Sequence, residues 1–447
     1  MNRLAAVARM ARWALRIGVA AVAGSIVRAA RRIAGRPPRI WHGFTPLHST
    51  SWMVHADRAV GFPSMSVVTN TRAHRYALVR SEDFDRVFED VDGARWDDVH
   101  WRALTHLLLH GDIWTAYFDC LFAHWTERRK NILIFRLIKL AGIRIVVQQH
   151  GSDVVCLGKF TSRYDWPQRM QADYPSWDLA AQKPVVEERI ALFDRFADFV
   201  IAGDSTVEPI LPRFDAGFHT TAVDLELLKP VSRAPRQVPV IIHAPNHRNV
   251  KGTPYLLDAL ERLRALGFPF ELRLIERVPR HEALAMYADA DIIADQFIIG
   301  GWGIFALEGM ALGKPVLTYL DEVHLSRSVY NDPVVNTTPE NVYRVLAVLL
   351  TVPALRERIG AASRRSIERY HSFEAVGEVW KRVYDHVWYG KPLDLESTTL
   401  FEPQRGTRSL SEDPATPEFW PVPVEDLWPQ IVEALNRSSA GETGSES

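Results

Sequence analysis

Short apolar runs alternate along the chain with longer segments in which apolar residues recur every three or four positions. The short runs predict β-strands and the longer segments predict helices. In the first half of the chain, strands are predicted at 64–69, 144–149 and 199–202, and helices at 51–60, 132–141 and 184–196. Alternating strands and helices are typical of a parallel sheet, because successive parallel strands need a crossover connection between them.

The same alternation restarts after Lys229 and Pro230. Strands are predicted there at 238–243, 270–275, 291–294 and 315–319, and helices at 253–266, 281–287, 303–312, 339–350, 353–369 and 373–387. We therefore predict an α/β protein with two tandem Rossmann-like, doubly wound domains at residues 37–228 and 229–390. In open α/β sheets ligands bind at the carboxyl ends of the strands, so we expect the two domains to face each other across a ligand-binding cleft.

The last segment of the chain, residues 391–447, loses this periodicity. Its end, residues 438–447, is rich in Ser, Gly and Glu, which is typical of disorder. Residues 421–435 could form one amphipathic helix. We therefore predict a partly disordered C-terminal tail.

Charge is unevenly distributed along the chain. The formal net charge of −1 argues against a strongly basic nucleic-acid-binding protein. However, the first 56 residues carry nine arginines and no acidic residue, so that segment has a charge of +9 and the remainder has −10. Three interpretations of residues 1–36 stay open: an amphipathic helix on an anionic membrane surface, a disordered or artefactual extension, and a signal peptide. The arginines at 28, 31 and 32 argue against the signal peptide.

Cysteine content and hydropathy bear on the compartment. The two cysteines, Cys120 and Cys156, show no zinc-ligand spacing and favour a reducing, cytoplasmic location. The longest uncharged apolar run, residues 17–27, is shorter than the roughly 20 residues that span a bilayer, so no transmembrane helix is expected. If residues 1–36 bind lipid, the protein would be peripheral on the inner face of the membrane.

A glycine-rich segment in the second predicted domain is the strongest local indication of chemistry. Residues 300–303, Gly-Gly-Trp-Gly, precede a predicted helix, where backbone N–H groups and the helix dipole favour a bound phosphate. Glu308 lies about a turn and a half into that helix, where its carboxylate could accept hydrogen bonds from a ribose diol. In the loop after an earlier strand, Arg248 and Lys251 could bind a diphosphate.

These residues resemble the C-terminal domain of GT-B glycosyltransferases of glycosyltransferase family 4. That family has a basic loop ending in Lys-Gly, and later the pattern Glu-Gly-Phe-Gly…Glu-Ala-Met-Ala-x-Gly-x-Pro-Val. The chain reads Glu-Gly-Met-Ala-Leu-Gly-Lys-Pro-Val at 308–316. The segment at 222–230 resembles the crossover between the domains of the family, and His-Gly-Ser-Asp at 150–153 resembles a strand end of its first domain.

The resemblance implies a donor site in the second domain. By analogy with the family, Arg248 and Lys251 would hold the donor diphosphate, and Glu308 would hold the ribose. The residues whose backbone N–H groups would face the β-phosphate and the donor sugar are Gly301, Trp302, Gly303 and Ile304.

The chain departs from the family at Gly300. The family has a Glu at this position that usually contacts the donor sugar. This departure leaves the identity of the sugar and the activity open. The nearby residues Asp295 and Gln296 are candidates to replace that Glu.

The stereochemistry of the transfer determines whether a protein base is required. A retaining transfer, which the resemblance implies, needs none, because the leaving phosphate accepts the proton. An inverting transfer needs a carboxylate or imidazole near the acceptor hydroxyl. The candidates are His150 and Asp153, which follow a predicted strand, and then Asp112.

We interpret the chain as a glycosyltransferase that moves a sugar from a nucleotide-diphosphate sugar to a glycan or lipid-linked acceptor, without a cofactor or metal. Synthesis of a cell-envelope glycan or glycolipid is the expected setting. Two alternatives stay open: a non-catalytic nucleotide-sugar-binding protein, favoured by Gly300, and a sugar-nucleotide epimerase. The metal-like patterns Asp289-Ala290-Asp291 and His106…His110 are expected to be structural.

Overall fold

The computed structural model describes residues 3–69, 81–88, 96–151, 153–154, 162–164, 166–175, 178–203, 210–231, 233–321 and 333–394. Cys156 and the predictions for residues 421–435 and 438–447 lie outside the described residues. The described chain forms two compact units. Unit 1 contains the described residues up to 154, from 178 to 222 and from 372 to 394, and unit 2 contains those from 162 to 175 and from 223 to 371.

The helices and strands closely follow the predicted alternation. The helices are α1 (Arg3–Ile33), α2 (His48–Ala59), α3 (Trp96–His110), α4 (Arg128–Leu140), α5 (Trp166–Asp173), α6 (Leu179–Phe196), α7 (Arg248–Lys251), α8 (Thr253–Ala265), α9 (Arg280–Ala288), α10 (Ile304–Ala311), α11 (Val342–Thr351), α12 (Pro353–Tyr370) and α13 (Phe373–Tyr389). The strands are β1 (Ile40–Phe44), β2 (Ser64–Thr69), β3 (Arg86–Phe88), β4 (Ile113–Tyr117), β5 (Arg144–Gln148), β6 (Phe199–Ala202), β7 (Ala216–Gly217), β8 (Val240–His243), β9 (Glu271–Leu274), β10 (Ile292–Gln296), β11 (Val316–Thr318) and β12 (Val335–Asn336).

Unit 1 is built on a parallel sheet with the strand order β3-β2-β1-β4-β5-β6-β7. The register pairs Ile40 of β1 with Ser64 of β2 on one side and with Ile113 of β4 on the other. The strand order therefore reverses between β1 and β4. In sheets of this kind the crevice beyond the carboxyl ends of those two strands is the usual ligand site.

Helix α13 completes the core of unit 1, although the sequence prediction grouped it with residues 229–390. Its apolar face buries Trp380 and Tyr384 against residues of β1 and α2. The Tyr384 hydroxyl donates to Asp57 Oδ1 at 3.1 Å. Gly377 lies directly against the backbone carbonyl of Ala56, so α13 and α2 approach as closely as backbone atoms allow.

Unit 2 is built on a second parallel sheet with the order β12-β11-β10-β8-β9. This sequence of strands, 2-1-3-4-5 within the unit, reverses between β8 and β10. Buried His243 joins these elements: its Nδ1 lies 2.7 Å from the Ala294 carbonyl of β10, and its Nε2 lies 2.8 Å from Thr253 Oγ1 at the start of α8. The prediction of two doubly wound parallel α/β units is confirmed.

Helix α1 is one continuous element of 31 residues. Its segment from Val7 to Ile33 is long and apolar enough to cross a membrane, by length and composition alone. The sequence prediction counted only the uncharged run, which Arg28 ends, whereas this criterion averages hydropathy over the helix; the expectation of no transmembrane helix stays a prediction. Arg28, which ends that run, is buried inside unit 1 rather than exposed.

Candidate functional site

The loops that leave β8 and β10 lie at the point where the strand order of unit 2 reverses. The first loop leads into the short helix α7 and Gly252, and the second leads through residues 297–303 into α10. Gly252 has a left-handed backbone (φ 75°), and its missing side chain leaves room for Phe297, 3.1 Å from where a Cβ would stand. The two loops are therefore in direct contact.

Lys251 points from the first loop to the start of α10. Its Nζ lies 2.8 Å from Asp295 Oδ1 and 3.5 Å from the position that a Cβ on Gly303 would occupy. The other oxygen of Asp295 accepts from the Gly303 N–H at 3.3 Å. The side chain of Lys251 is 14% exposed and that of Asp295 is fully buried. A cation therefore stands beside the positive end of a helix dipole, where an anion is stabilised.

Glu308 lies further along α10 and is paired with Arg280 at the start of α9. Arg280 Nη2 donates to Glu308 Oε1 at 2.5 Å, and the Glu308 side chain is 5% exposed. Burial raises the pKa of Glu308, and the Arg280 guanidinium acts in the opposite direction. The Arg280 guanidinium therefore offsets part of the cost of burying this carboxyl group.

Gly300 has a left-handed backbone and lies against Asp321. Its φ is 93°, and a Cβ there would stand 2.8 Å from Asp321 Oδ2. The Asp321 N–H donates to the Gly300 carbonyl at 3.0 Å, which fixes the two residues together. A glutamate at position 300 would therefore need both a strained backbone and a displaced Asp321. In this chain, Asp321 provides the carboxylate beside the glycine loop.

The end of the unit 1 sheet carries a second polar cluster. Asp119 follows β4 and His150 follows β5, and these strands are neighbours in register. Asp119 Oδ2 lies 3.3 Å from His150 Nε2, and Thr45, which follows β1, donates to Asp119 Oδ1 at 2.7 Å. Asp153 Oδ1 accepts from the backbone N–H groups of His150 and Gly151, each at 3.0 Å.

Electrostatics favour a charged pair in this cluster. Burial lowers the pKa of His150, but Asp153 and Asp119 outweigh it and raise the pKa to about 9. Burial likewise opposes ionisation of Asp119, but His150 and Thr45 hold its pKa at about 2. His150 is therefore an imidazolium at neutral pH.

Among the described residues, the same three side chains are the group that could hold a metal ion. Single ligand atoms of Asp119, His150 and Asp153 all lie within 4.8 Å of one another, and within the described ranges no other His, Cys, Asp or Glu group has this geometry. Asp153 already accepts three backbone N–H groups, since its Oδ2 accepts from Phe118 at 3.1 Å. The expectation of no metal remains a prediction.

Comparisons with known proteins bear on the fold. A scan against protein-family models and a search of curated proteins find no match. Among solved structures, sucrose-phosphate synthase from Thermosynechococcus elongatus superposes with a TM-score of 0.52 at 13% identity, covering 80% of this chain and 100% of that chain. HepE from Anabaena, in complex with UDP and glucose, has a TM-score of 0.48 at 13% identity, covering 78% and 99%. The catalytic domain of starch synthase IV from Arabidopsis thaliana, bound to ADP and acarbose, has 0.49 at 11%, covering 79% and 100%.

The match to the whole of sucrose-phosphate synthase, together with the two reversing parallel sheets, decides the architecture. The chain has the GT-B fold. Membership of glycosyltransferase family 4 remains a prediction.

Some residues of the predicted GT-B donor site lie together and others do not. Lys251, Gly303 and Asp295 form one cluster, whereas the Arg248 guanidinium is turned to Glu276, with Nε 2.8 Å from Oε1. Arg248 is half exposed, so this ion pair can exchange with a ligand at low cost.

Gln296 and Trp302 contribute to the shape of the glycine loop. The Gln296 amide nitrogen donates to the Gly301 carbonyl, and its oxygen accepts from the Ile299 N–H at 2.8 Å. Trp302 is buried, with its ring edge-on to His371 at 6.2 Å. Ile304 is the first residue of α10, so its N–H belongs to the free first turn of that helix.

The structure contradicts Asp112 as a general base. Asp112 precedes β4 and therefore lies at the amino end of the sheet, away from the cluster around His150. It is fully buried and paired with Arg39, whose Nη2 lies 2.8 Å from Oδ1, and with Arg31 at 3.2 Å. Asp112 is an anchor for the start of β1.

The two metal-like patterns take part in structural contacts. Asp289 pairs with the guanidinium groups of Arg233, Arg236 and Arg273. His106 Nδ1 accepts from Trp41 Nε1 at 3.0 Å, and burial lowers the pKa of His106 to about 4. These contacts account for both patterns without a ligand.

Three residues of the candidate site were not predicted from the sequence: Asp119, Arg280 and Asp321. Asp119 had a recognisable signal, because it follows an apolar run, Ile113–Tyr117, that reads as a strand next to the one ending at His150. Arg280 and Asp321 had none, because their partners are 28 and 21 positions away by numbering and no local period links them.

Proposed function

We propose that the chain is a glycosyltransferase that transfers a sugar from a nucleotide-diphosphate sugar to an acceptor. One observation carries the proposal: Lys251 stands at the N-terminus of α10, and a buried carboxylate, Glu308, lies on the same helix. A cation at a helix N-terminus suits a diphosphate, and a buried carboxylate suits a ribose diol. The resemblance to family 4 and the GT-B fold support this assignment.

In this proposal each site residue of unit 2 has a defined task. Lys251 exchanges its contact with Asp295 for the donor diphosphate, and Arg248 leaves Glu276 to assist it. Backbone N–H groups of residues 301–304 bind the β-phosphate. Glu308, oriented by Arg280, binds the ribose.

We propose that Asp321 contacts the donor sugar in place of the glutamate that the family has at position 300. Asp321 is buried beside Gly300, and its carboxylate lies 2.8 Å from the position that a Cβ at residue 300 would occupy. A carboxylate near a sugar accepts hydrogen bonds from its hydroxyl groups. The shorter Asp side chain would then select the donor sugar.

We propose a retaining transfer. A general base must be unprotonated at working pH, and the pKa of His150, raised to about 9, keeps it protonated. Asp153 is occupied by backbone N–H groups. We assign His150 to donate a hydrogen bond to substrate and Asp153 to position it, and the leaving phosphate accepts the acceptor proton. No metal is required in this scheme.

Unit 1 is assigned to the acceptor, a glycan or lipid-linked molecule, in cell-envelope glycan or glycolipid synthesis. The near absence of cysteine supports a cytoplasmic location.

The first test is ligand-detected binding of UDP-, GDP-, TDP- and ADP-sugars. We expect Lys251→Ala to weaken binding of the preferred donor about tenfold or more, because a charged hydrogen bond contributes roughly 1.5–3 kcal/mol. Glu308→Ala is expected to weaken the binding of a nucleotide sugar but not the binding of inorganic diphosphate. The matched controls are Lys183→Ala and Glu261→Ala, both on exposed helix positions. Unchanged binding in both site variants would show that the donor site lies elsewhere.

A second candidate function is a non-catalytic nucleotide-sugar-binding protein, which Gly300 favours. A transferase releases nucleoside diphosphate when acceptor is supplied, whereas a binding protein releases none. Conversion of the donor sugar without acceptor would indicate an epimerase instead.

A further inference from the structure

The inner face of α1 is part of the core of unit 1. Ile17, Ala20 and Ala21 are buried, and Gly24 lies directly against the Leu108 carbonyl of α3. The Trp13 indole N–H donates to Asp98 at 2.8 Å. Helix α1 is therefore fixed to the folded unit along its length.

Arg28 strengthens this attachment. Its guanidinium is buried and donates to three carbonyl oxygens: Ala141 at 2.7 Å, Leu108 at 2.8 Å and Gly111 at 2.8 Å. Drawing α1 away from unit 1 would break these three charged hydrogen bonds.

The opposite face of α1 is apolar and exposed. Leu15, Val19, Val22 and Ile26 expose between 60% and 69% of their surface. With Ile33 at 89%, they form a stripe about 27 Å long, given a rise of about 1.5 Å per residue. We call this stripe the α1 outer face. A helix that is apolar on both sides normally has a partner on both.

The charged residues of α1 itself are all arginines. Arg12 and Arg16 stand at one end and Arg32 and Arg36 at the other, and none of the four pairs with a carboxylate among the described residues. Arg16 and Arg32 lie over the rings of Trp13 and Trp388, at 5.4 and 5.3 Å from the ring centroids.

Helix α4 extends this pattern. The Ala141 carbonyl at its end accepts from Ser25 Oγ of α1 at 3.1 Å, and the preceding residue, Leu140, is 83% exposed. The exposed positions of α4 carry only cationic and apolar side chains: Arg128, Arg129, Leu133, Arg136 and Leu140.

We propose that the α1 outer face docks in the plane of an anionic lipid bilayer, with its end arginines at the headgroups. An apolar stripe with arginines at its ends fits an interface that has an acyl region and anionic headgroups. If a second copy of the chain docked through the same face, arginines of one copy would lie against arginines of the other and repel them. A spanning orientation would break the contacts of Arg28 and Trp13. The proposal is independent of glycosyl transfer.

The test is flotation of the full chain with phosphatidylcholine vesicles, with and without phosphatidylglycerol. We expect binding to the anionic vesicles that weakens with salt, and release at alkaline pH, as for a peripheral protein. Val19→Glu/Val22→Glu is expected to reduce binding about tenfold or more. The matched control, Leu266→Glu, alters an equally exposed apolar residue of unit 2 and should leave binding unchanged. Thermal unfolding confirms that each variant is folded.

A charge variant provides an independent measurement. Replacing Arg12, Arg16, Arg32 and Arg36 by Gln is expected to remove the preference for phosphatidylglycerol while the fold stays intact.

Several outcomes would overturn the proposal. The first is flotation of Val19→Glu/Val22→Glu that equals that of the unaltered chain. The second is resistance of the bound chain to alkaline extraction, which indicates a spanning helix. The third is absence of flotation of the unaltered chain. With no flotation, dimers abolished by the glutamates would identify a second copy as the occupant. Faster hydrogen exchange in residues 395–447 of the glutamate variant would identify that acidic segment as the occupant of the α1 outer face.

Discussion

Gly300 shows how one residue couples backbone conformation to the chemistry of the loop. Its left-handed φ and the Asp321 carboxylate, 2.8 Å from the position that a Cβ would occupy, both exclude a side chain. The sequence identified this position as a departure from the family pattern, but the compensating carboxylate follows a different strand, β11, and no spacing rule points to it.

We predict that Gly300→Ala destabilises the protein by about 1–3 kcal/mol, because it adds a strained φ and a contact with Asp321. Gly61→Ala is the matched control: its φ is 89°, but nothing lies within 4 Å of the added Cβ. Urea unfolding of both variants measures the difference. If Gly300→Ala and Gly61→Ala lost the same free energy of unfolding, Asp321 would not restrict the side chain at position 300.

The ion pair of His150 and Asp119 predicts a pH dependence of stability. Because the pKa of His150 is raised from 6.5 to about 9, its contribution is complete below pH 6.5 and is lost as the pH rises through 9. We expect the free energy of unfolding to fall on the order of 2 kcal/mol from this pair over that range.

Asp119→Asn should flatten this dependence, since it removes the charge that faces the imidazolium. Urea unfolding at pH 6, 7.5 and 9 is the measurement. His281→Gln, at an exposed histidine of unit 2, should retain the wild-type slope. A wild-type slope in Asp119→Asn would contradict the pairing.

At the scale of elements, periodicity predicted most helices and strands to within a few residues. Periodicity gave no prediction for β3, α3, β4, α5 and β12, and it did not assign two helices, α1 and α13, to the unit in which they pack, for physical reasons. Helix α1 carries no clear polar face, because one apolar face packs in unit 1 and the other is exposed, so its pattern did not distinguish a helix in the fold from an extension. Helix α13 has a clear period, but a period does not reveal which sheet the helix covers.

The close packing of α13 on α2 gives a prediction at this scale. Gly377→Ala places a Cβ against the Ala56 carbonyl and should destabilise unit 1 by about 1–3 kcal/mol. Gly18→Ala is the matched control, because Gly18 is helical and has nothing within 4 Å of the added Cβ. It should stabilise α1 by up to about 1 kcal/mol. Thermal unfolding distinguishes the two, and a neutral Gly377→Ala would contradict the close contact.

At the scale of the whole molecule, the strand orders explain why part of the candidate site was predictable. Both polar clusters lie at the carboxyl ends of parallel strands: Lys251 follows β8, which flanks a reversal, and His150 follows β5, one strand away from the reversal between β1 and β4. The predicted alternation of strands and helices therefore already placed Lys251 and His150 at strand ends. Pairings across the sheet, such as Arg280 with Glu308, depend on how helices pack and are not encoded in local spacing.

The return of the chain to unit 1 has a consequence for synthesis on the ribosome. Trp380 and Tyr384 are core residues of unit 1, yet they follow the whole of unit 2 in the chain. A nascent chain that ends near residue 222 exposes the apolar surfaces of α2 and β1 that α13 later covers. Unit 1 therefore completes its core only after the described part of unit 2 has been translated.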